Sequence, residues 1–545
     1  MAAWWQERVV YQVFPGCFAD SNGDGIGDIP GIMAHLDALK DLGVGIIWLS
    51  PVYRSPGADN GYDISDYRDI NPEFGTMADM DNLIEETNKR DIKLVMDLVI
   101  NHTSDKHAWF QASRDKNSPY RDYYIWRPGK DGRPPNNWTS FFAEDCWEYD
   151  ERSGEYYLHL FAKGQPDLNY HNPKVLEEIK DVMQFWLDKG ISGFRCDVIN
   201  IIYKSSLEDG KKRLALTGSG HYISQPGAHK VLQELRRDVL SQYDCFAVGE
   251  TVFVTPQMGK DLCDKSRGEL DMIFSFEHME TDCYFIKWFR RRFHAGRFGQ
   301  TIAKWQQALE WNANYLENHD QPRSVSRFGD TNEYWLQSAK LLCALLMTLR
   351  GTPYVYQGQE IGMTNFDYTG MEQIQDVESH NVYRLARKLH IPAFYRWRMI
   401  KNCSRDNART PMQWNSEKNA DFSTGKPWLA VNRNYTRINM AAQMDDPNSV
   451  RSFYKTMIAL RANSDVLKYG EFRLVSATRH LFIYEREWGG QVYRVILSFS
   501  KKARKAPCHG TLLLSNYRRD TYDGTLSPYE AVIIDKTSSK EPTND

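Results

Sequence analysis

Residues 94–102 read LVMDLVINH and residues 193–200 read GFRCDVIN, and each stretch is a short apolar run that ends in polar residues. Similar runs recur along the chain, so the candidate strands are residues 9–14, 46–50, 94–100, 193–198, 246–250, 272–276, 313–320 and 352–357. Apolar residues at helical spacing, such as Ile32, Leu36 and Leu39, lie between them. Strands that alternate with helices form parallel βαβ units, and eight such units predict a closed (β/α)8 TIM barrel, an α/β fold.

Two segments depart from the barrel pattern. Residues 104–168 are too long for one helix and include the Pro-, Gly- and Asn-rich run RPGKDGRPPNNW at 127–138, which predicts an inserted subdomain after the third strand. After about residue 465 the chain alternates short strands with turns, which predicts a C-terminal antiparallel β-sandwich domain over residues 466–545. The barrel is therefore predicted to span residues 1–103 and 169–465.

The composition is that of an ordinary globular protein. Of 545 residues, 41% are hydrophobic and 26% charged, and 68 Lys and Arg against 71 Asp and Glu leave a net charge of −3. This balance argues against a disordered chain and against a cationic nucleic-acid-binding protein. The N-terminus has no basic region followed by an apolar core, and the longest apolar stretch, residues 341–349, is too short to cross a bilayer, so we expect neither a signal peptide nor a membrane anchor.

The nine cysteines are odd in number and include no Cys-x-x-Cys pair. This pattern argues against a disulfide framework and against a zinc ribbon, and it predicts a cytoplasmic location. Aromatic residues make up 13% of the chain, with 16 Trp and 30 Tyr. Such rings stack on sugars, but they are equally ordinary core material, so the aromatic content alone decides nothing.

Polar residues that end barrel strands are the candidates for an active site, because barrels carry their active sites at the carboxyl ends of the strands. His102 follows the third run, Arg195 and Asp197 end the fourth, Glu250 ends the fifth and Asp320 ends the seventh. Each acidic residue alone could equally close a strand or cap the next helix. Three carboxylates that converge on one mouth of a barrel argue for a catalytic role.

The chemistry of these carboxylates can be argued from their neighbours. Arg195 and Asp197 are two residues apart on a strand and therefore share a face, so the guanidinium is expected to keep Asp197 ionised, as a nucleophile must be. Glu250 follows apolar residues on the next strand, where desolvation and nearby negative charge favour the protonated form that a general acid needs. Two carboxyl groups in these two states indicate glycoside hydrolysis.

The same stretches resemble the four sequence regions of the α-amylase family of glycoside hydrolases, glycoside hydrolase family 13. The matching stretches are residues 97–102, residues 193–200, Glu250 and residues 318–320. QPDLN at 165–169 resembles the fifth region of the oligo-1,6-glucosidase and α-glucosidase subfamily. Further specific matches are DNGYD at 59–63, GTPYVYQG at 351–358 and SRDNARTPMQW at 404–414. The resemblance runs over nearly the whole chain.

The resemblance implies a retaining mechanism on an α-glucoside. Asp197 would be the nucleophile that forms a covalent glucosyl intermediate, and Glu250 would be the acid and then the base. Asp320 would bind the 2- and 3-hydroxyls of the sugar and help to hold its distorted ring. His102 and His319 would donate hydrogen bonds that strengthen in the transition state.

Other residues are implied to bind the substrate. Tyr62 would be the stacking platform under the glucose. Asp59 and Arg405 would grip the non-reducing glucose from behind, with Arg409 as the alternative to Arg405, and such a closed wall lets the enzyme remove one glucose at a time from a chain end. The remaining predicted substrate-binding residues are Phe161, Gln165, Arg195 and Val198.

The linkage preference depends on Val198. In the resembling enzymes Val directly after the nucleophile accompanies α-1,6 preference, whereas Ala or Thr accompanies α-1,4 preference. A branched side chain beside the scissile bond would crowd an α-1,4-linked leaving sugar, although a barrel residue chosen for packing is the alternative. The sequence therefore predicts an exo-acting α-1,6-glucosidase that acts on isomaltose, panose and isomalto-oligosaccharides, with transglycosylation as a side reaction.

Several alternatives stay open. Within the class they are an α-1,4-glucosidase, a trehalose-6-phosphate hydrolase, and a sucrose isomerase or hydrolase. Gln165 and the residue after it differ from the pattern expected of a trehalose-6-phosphate hydrolase, although the basic cluster at residues 211–213 could meet a phosphate. Departures from the family pattern at Tyr170, Gln359 and residues 316–317 leave the second sugar undetermined. An inactive transporter-associated homologue is disfavoured because all three carboxylates are present.

The loop at residues 20–28, DSNGDGIGD, predicts a metal site. Its oxygens fall at positions one, three, five and nine with Gly at position six, as in the first part of an EF-hand loop. Gly31 stands where the bidentate Glu of an EF-hand belongs, which excludes a helix–loop–helix calcium switch. We expect structural Ca²⁺, against the alternative of a metal-free turn, and the predicted ligands are Asp20, Asn22, Asp24, Ile26 and Asp28.

The sequence contains no nucleotide, flavin or haem motif, so we expect no organic cofactor. The expected binding partners are small oligosaccharides, without nucleic acid or membrane, and the expected state is a monomer or a weak dimer.

Overall fold

The computed structural model describes residues 2–142, 144–213 and 215–537. Eight short strands lie in one parallel sheet, which we label β1 to β8 in chain order: Val10–Val13, Ile46–Leu49, Lys93–Leu98, Gly193–Cys196, Phe246–Glu250, Met272–Phe274, Ala313–Asn314 and Thr352–Tyr356. The strand order is β6-β5-β4-β3-β2-β1-β8-β7, so β1 pairs with both β2 and β8, and β6 approaches β7. The predicted (β/α)8 barrel is confirmed.

Helices follow the strands and cover the outside of the barrel. Helix Pro173–Asp188 buries Val175, Ile179, Val182 and Trp186 at helical spacing, and its first residue is a proline that needs no amide partner. The helices that accompany the eight strands are Ile29–Ala34, Leu36–Leu42, Met77–Lys89, Pro173–Asp188, Pro226–Asp238, Pro256–Cys263, Ala295–Ala308, Trp335–Thr348 and Val450–Ala462.

The seventh strand is much shorter than the predicted 313–320, because side chains replace a strand partner beyond Asn314. The Asn318 side chain accepts a hydrogen bond from the amide of Asp320 at 2.9 Å, and Arg409 donates to the carbonyl of His319 at 3.0 Å. Asn commonly replaces backbone pairing in this way. Asp320 therefore lies on an irregular segment at the mouth of the barrel.

Three excursions from the barrel build the wall around its mouth. The hairpin Tyr53–Arg54 and Asp66–Ile70 follows β2, and a segment with its own three-stranded antiparallel sheet follows β3. Residues 357–449 follow β8 and form the longest connection to the last barrel helix. These excursions contain the helices Ala108–Ser113, Val377–Lys388, Ala393–Cys403 and Met440–Met444 and the strands Trp126–Arg127, Trp147–Asp150 and Glu155–Leu158.

The C-terminal part of the chain, from residue 471, forms an antiparallel sheet. Its main sheet orders the strands Glu471–Ala477, Leu481–Trp488, Gln491–Ser498, Ala531–Asp535 and Thr511–Ser515. A second ladder pairs Arg504–Lys505 with Thr525–Leu526. One side of the main sheet shares a continuous hydrophobic core with the barrel. Residues 538–545 of the predicted domain lie outside the described residues.

Two further short α-helices, Ser324–Phe328 and Asp465–Tyr469, are present in the described part of the chain. Within residues 2–142, 144–213 and 215–537, every helix is either too short or too polar to cross a bilayer.

Candidate active site

Arg195, on β4, lies at the centre of three buried carboxyl groups. Its Nη1 is 2.5 Å from Asp97 Oδ1 and 2.6 Å from Asp197 Oδ1, and its Nη2 is 2.7 Å from Glu250 Oε2. Asp97 is the register partner of Arg195 on β3, and Glu250 ends β5, so three adjacent strands bring these groups together. The sequence predicted the pairing of Arg195 with Asp197, but Asp97 appeared there only as the first residue of a motif.

One guanidinium cannot neutralise three buried carboxylates, and their pKa values reflect this. Burial raises the pKa of Glu250 to about 8, against the opposing charge of Arg195. Burial likewise raises the pKa of Asp197 and of Asp97 to about 6. At neutral pH Glu250 therefore holds a proton while Asp197 is mostly ionised. The charge of Arg195 was expected to set the protonation state of Asp197. Burial raises the pKa of Asp197 by more than Arg195 lowers it.

Val198 follows Asp197 directly in the chain and has an uncommon backbone conformation. Its φ of 35° and ψ of 40° are in the left-handed region, which a β-branched residue rarely adopts. Such a conformation costs on the order of 1–3 kcal/mol. In this conformation the amide of Val198 donates to Glu250 Oε2 at 3.2 Å. The strained residue after Asp197 thus helps to hold Glu250.

Asp320 is held by two arginines. Its Oδ1 is 2.6 Å from Arg409 Nη2 and 3.4 Å from Arg405 Nη1. Burial opposes its ionisation, but His319, Arg405 and Arg409 together lower its pKa well below the usual range. The side chain of Asp320 is 30% exposed, so an ionised carboxylate faces the mouth of the barrel.

The ion pair of Asp59 and Arg405 joins two distant segments in the lining of the site. Asp59 Oδ1 lies 2.9 Å from Arg405 Nη2, although 346 residues separate the two in the sequence. Asp376 accepts from Arg405 Nε at 2.8 Å, a contact that no sequence pattern indicated. Gln165 Nε2 lies 3.4 Å from Asp59 Oδ2. Of the two candidate arginines, Arg405 is the one that pairs with Asp59, while Arg409 pairs with Asp320.

His319 is a neutral hydrogen-bond donor. Burial lowers its pKa to about 3, and its Nδ1 accepts from the Gln12 amide at 2.7 Å, so its proton lies on Nε2. Nε2 is 3.4 Å from Asp320 Oδ2 and has no hydrogen-bond partner among the described residues. The ring stacks on Tyr62, with centroids 5.2 Å apart and planes within 5°. This geometry leaves the Nε2–H of His319 buried behind Asp320, without a hydrogen-bond partner among the described residues.

His102 makes hydrogen bonds on both ring nitrogens. Its Nδ1 accepts from the amide of Asn101 at 3.1 Å, and its Nε2 donates to the Tyr62 carbonyl at 3.0 Å. Gln165 donates to the same carbonyl at 3.3 Å. Phe161 lies against the ring, with centroids 5.2 Å apart. The donor that was predicted for a sugar therefore contacts the backbone of Tyr62 in this structure.

A cavity of about 1370 Å³ opens above these groups. Arg195 and His319 lie one layer behind it, in contact with Asp197 and Asp320. The other residues predicted for catalysis and substrate binding line the cavity: Asp59, Tyr62, His102, Phe161, Gln165, Asp197, Val198, Glu250, Asp320 and Arg405.

The loop predicted to hold calcium is curled by its own side chains. Asp20 accepts from the amides of Asn22, Gly23 and Gly25, at 3.0, 2.7 and 2.7 Å. Asp28 caps the helix Ile29–Ala34 through the amide of Gly31 at 2.6 Å. Among the described residues no three His, Cys, Asp or Glu side chains form a metal cluster, so a metal here would also need amide and carbonyl oxygens.

Comparisons with known proteins agree with this geometry. The model of the α-amylase catalytic domain matches residues 12–470. Oligo-1,6-glucosidase of Parageobacillus thermoglucosidasius is 52% identical over 97% of this chain and 98% of its own length, and oligo-1,6-glucosidase of Halalkalibacterium halodurans is 48% identical over the same shares. A variant of isomaltulose synthase from Erwinia rhapontici superposes with a TM-score of 0.95 at 40% identity, over 98% of this chain and 99% of that one. With the barrel, the carboxyl cluster and these matches in agreement, the chain belongs to the α-amylase family of glycoside hydrolases.

Proposed function

We propose that this protein is a retaining, exo-acting α-glucosidase that hydrolyses α-1,6 bonds at the non-reducing end of isomaltose, panose and isomalto-oligosaccharides. The observation that carries the exo assignment is the buried ion pair of Asp59 and Arg405, 2.9 Å apart in the lining of the cavity, which we take to close its inner end. A glucan chain can then enter only with its terminal glucose first. Relatives named oligo-1,6-glucosidase, at 48–52% identity, support the linkage.

The protonation states suit a double displacement. Ionised Asp197 attacks the anomeric carbon while Glu250 gives its proton to the glycosidic oxygen, and the rest of the chain leaves as an alcohol. Glu250, now a carboxylate, takes a proton from water as that water attacks the glucosyl–Asp197 ester. Two inversions retain the α-configuration. Asp320 holds the ring hydroxyls, and this contact strengthens as positive charge develops on the ring.

The α-1,6 preference is assigned to Val198. Its side chain packs with the apolar cluster of the inserted segment and also lines the cavity beside Asp197. A branched side chain fixed at this point crowds the leaving-group side. Val198→Ala should therefore raise the ratio of maltose to isomaltose hydrolysis by about tenfold, the discrimination expected from lost methyl contacts. An unchanged ratio would make Val198 a packing residue.

A trehalose-6-phosphate hydrolase is the weaker candidate because the basic cluster is in the wrong place. Lys211 and Arg213 line a second, separate cavity of about 280 Å³, and Arg213 donates to Ser219 Oγ at 2.9 Å. A phosphate held there would lie outside the cavity that contains Asp197. The α-1,4-glucosidase and the sucrose isomerase or hydrolase are best separated from our proposal by assay.

The deciding assay measures glucose release from equimolar isomaltose, panose, maltose, sucrose, trehalose and trehalose-6-phosphate. Wild type is run beside Asp197→Asn, with Asp69→Asn, an exposed carboxylate paired to Arg54, as the control. Isomaltose and panose should lead, and Asp197→Asn should lose activity on the order of 10⁴-fold or more. If maltose or sucrose leads, the linkage assignment is wrong. Activity that survives in Asp197→Asn would overturn the mechanism.

A structural Ca²⁺ in the loop at residues 20–28 is part of the proposal. The donors, Asp20, Asn22, Asp24, the Ile26 carbonyl and Asp28, are all oxygens, as Ca²⁺ requires. Binding to the folded state alone should raise the melting temperature in Ca²⁺ relative to EGTA. Asp24→Asn should abolish that difference, whereas the control Asp66→Asn should keep it. Equal melting temperatures for wild type with and without Ca²⁺ would favour a metal-free turn.

A cytoplasmic location and a monomer or weak dimer are also proposed. None of the nine cysteines forms a disulfide in the described part of the chain, as is usual in a reducing compartment. Thiol titration of the unfolded protein should find all nine thiols free, and light scattering should give the mass of a monomer at low concentration. Oxidised cysteines in freshly isolated protein would contradict the location.

A further inference from the structure

Several exposed apolar side chains line the catalytic cavity. Phe253 is 54% exposed, Phe285 is 87% exposed and Leu389 is 64% exposed, and all three line the same cavity as Asp197 and Glu250. They come from three separate segments, after β5, after β6 and at the end of helix Val377–Lys388. Large apolar side chains grouped at a cavity mouth mark a binding surface rather than scattered exposure. We call Phe253, Phe285 and Leu389 the apolar rim.

Phe253 is held outward by its backbone. Its φ of 54° is in the left-handed region, which is rare for an aromatic residue. The preceding residue is fixed on both sides, because the Asn200 side chain accepts from the amide of Val252 at 3.0 Å and donates to its carbonyl at 2.9 Å. Strain maintained by such contacts is typical of functional positions. Phe253 follows by three residues the acid Glu250, which protonates the leaving oxygen, and both line the cavity, so we place Phe253 on the leaving-group side.

The segment that presents Phe285 is equally fixed. Asp282 accepts from Arg290 and Arg327 at 2.7 Å, and the amide of Arg291 donates to the carbonyl of Asp282 at 2.8 Å. These contacts close the base of the turn from residue 282 to residue 291. Phe285 lies within this turn, and a turn tied at its base lowers the entropy cost of binding.

Two of the cations along this part of the cavity have partners. Lys287 pairs with Glu378 at 2.6 Å, and Arg291 donates to the carbonyl of Thr281 at 3.1 Å. What this part of the cavity offers most is ring and methyl surface, which suits the face of a neutral sugar better than a phosphate. The cavity volume of about 1370 Å³ also exceeds the usual range of about 300–1,000 Å³ for small-molecule sites.

We propose that the apolar rim is a distal subsite that binds the second glucosyl unit on the leaving-group side, so that isomaltotriose and longer chains are cleaved in preference to isomaltose. This inference rests on the proposed α-1,6-glucosidase activity. Isomaltose ends at the first leaving-group glucose, whereas isomaltotriose has one further ring to place against the rim. Contacts to that ring add binding energy remote from the cut bond.

The test compares kcat/KM for isomaltose, isomaltotriose and isomaltotetraose. Wild type should prefer isomaltotriose over isomaltose, and Phe253→Ala and Phe285→Ala should each lower that preference about fivefold, as expected from the loss of one stacking contact. Phe285→Trp should retain it. Phe394→Ala is the control, because Phe394 is 69% exposed but lies outside the cavity lining. Melting temperatures of all variants check folding.

The outcomes separate the two claims. Hydrolysis of isomaltose by wild type tests the activity alone, and its absence would overturn both claims. If wild type cleaves isomaltose but shows no preference for isomaltotriose, or if the alanine variants keep the preference, the distal subsite is wrong while the activity stands. A wild-type dimer that Phe285→Ala dissociates, with the preference unchanged, would make the rim a contact between copies of the chain and would likewise overturn the subsite.

Discussion

Arg195 sets the protonation of the site at the level of single residues. It contacts Asp97, Asp197 and Glu250 within 2.7 Å, so one positive charge serves three carboxyl groups. The least costly arrangement leaves one proton on the group with the highest pKa, which is Glu250. The nucleophile and the acid therefore differ in charge at neutral pH although they share one guanidinium.

The first prediction is a bell-shaped dependence of kcat/KM on pH. Activity requires ionised Asp197, with a pKa of about 6, and protonated Glu250, with a pKa of about 8. Activity should therefore rise as the pH increases through about 6 and fall as it increases through about 8. Asp197 and Glu250 interact, so the two apparent pKa values of the profile describe the pair and not either residue alone. Initial rates with isomaltose from pH 4 to 10 test this. Activity that does not fall between pH 7 and pH 9, or that does not fall between pH 7 and pH 5, would contradict it.

The second prediction concerns Glu250→Gln. Loss of the general acid should lower kcat for isomaltose by about 10³-fold, because the leaving alcohol needs a proton. An aryl α-glucoside with an acidic phenol needs none, so its glycosylation step should suffer far less. Glu144→Gln is the control, since Glu144 lines the same cavity but is exposed and its ion pair is with Arg384 at 3.5 Å, outside the carboxyl cluster. Equal losses on both substrates would argue against the acid role.

The residues of the site were predictable to different degrees. Asp197, Glu250 and Asp320 end apolar runs, so strand spacing and family motifs found them. Asp376 has no such pattern, and its contact with Arg405 depends on the long segment after β8. The left-handed backbone of Val198 was not predictable either, because the contacts that hold it are tertiary.

At the level of elements, a buried ion pair ties the inserted segment to the barrel. Lys204, in the segment after β4, lies 2.6 Å from Asp167 Oδ2 and donates to Asn101 Oδ1 at 2.8 Å. Asp167 Oδ1 accepts from the amide of Leu160 at 2.9 Å. Asp167 is two residues from Gln165, which contacts Asp59. The pair therefore supports the wall of the cavity from behind.

The third prediction is that Lys204→Met destabilises the protein by about 3 kcal/mol, because it leaves the buried carboxylate of Asp167 without its cation. The matched control is Lys89→Met. Lys89 and its partner Glu85 are both more than half exposed, and solvent screening leaves such pairs with little effect on stability. Urea unfolding measures both variants. Equal losses would mean that the buried pair has no special role.

The elements were predicted well where hydrophobic pattern alone decides them. All eight barrel strands begin within one residue of the predicted first residue, since short buried parallel strands are continuous apolar runs. Seven of the eight ends were predicted too late, most clearly that of β7, where Asn318 and Arg409 replace strand pairing. Side-chain partners that come from distant segments cannot be read from local pattern.

At the level of the whole molecule, the C-terminal sheet and the barrel share one core. Phe482, Tyr484 and Val495 belong to the same hydrophobic cluster as the barrel strands. The Tyr484 hydroxyl lies 2.5 Å from Thr348 Oγ1. Arg461 lies on the last barrel helix and donates to the carbonyl oxygens of residues 347, 349 and 467. These bonds tie that helix to the end of helix Trp335–Thr348 and to helix Asp465–Tyr469, which precedes the sheet.

The fourth prediction is that the barrel and the C-terminal sheet unfold together. A shared core makes separate unfolding costly, so calorimetry should give one transition. A chain that ends at residue 470 should be insoluble or strongly destabilised, because helix Trp335–Thr348 would expose the apolar side that the sheet now covers. Two separate transitions, or a stable truncated barrel with full activity, would contradict this.

The ion pair of Asp59 and Arg405 has a consequence for how long chains are consumed. The glucose that is cut off remains at the closed end, behind the shortened chain, so it can leave only after that chain has left. Attack should therefore be distributive rather than processive. In an early digest of isomaltotetraose, isomaltotriose should accumulate before isomaltose appears, and chromatography of the products tests this fifth prediction. Early isomaltose without isomaltotriose would contradict it. In a mixture of chain lengths, all chains would then shorten side by side.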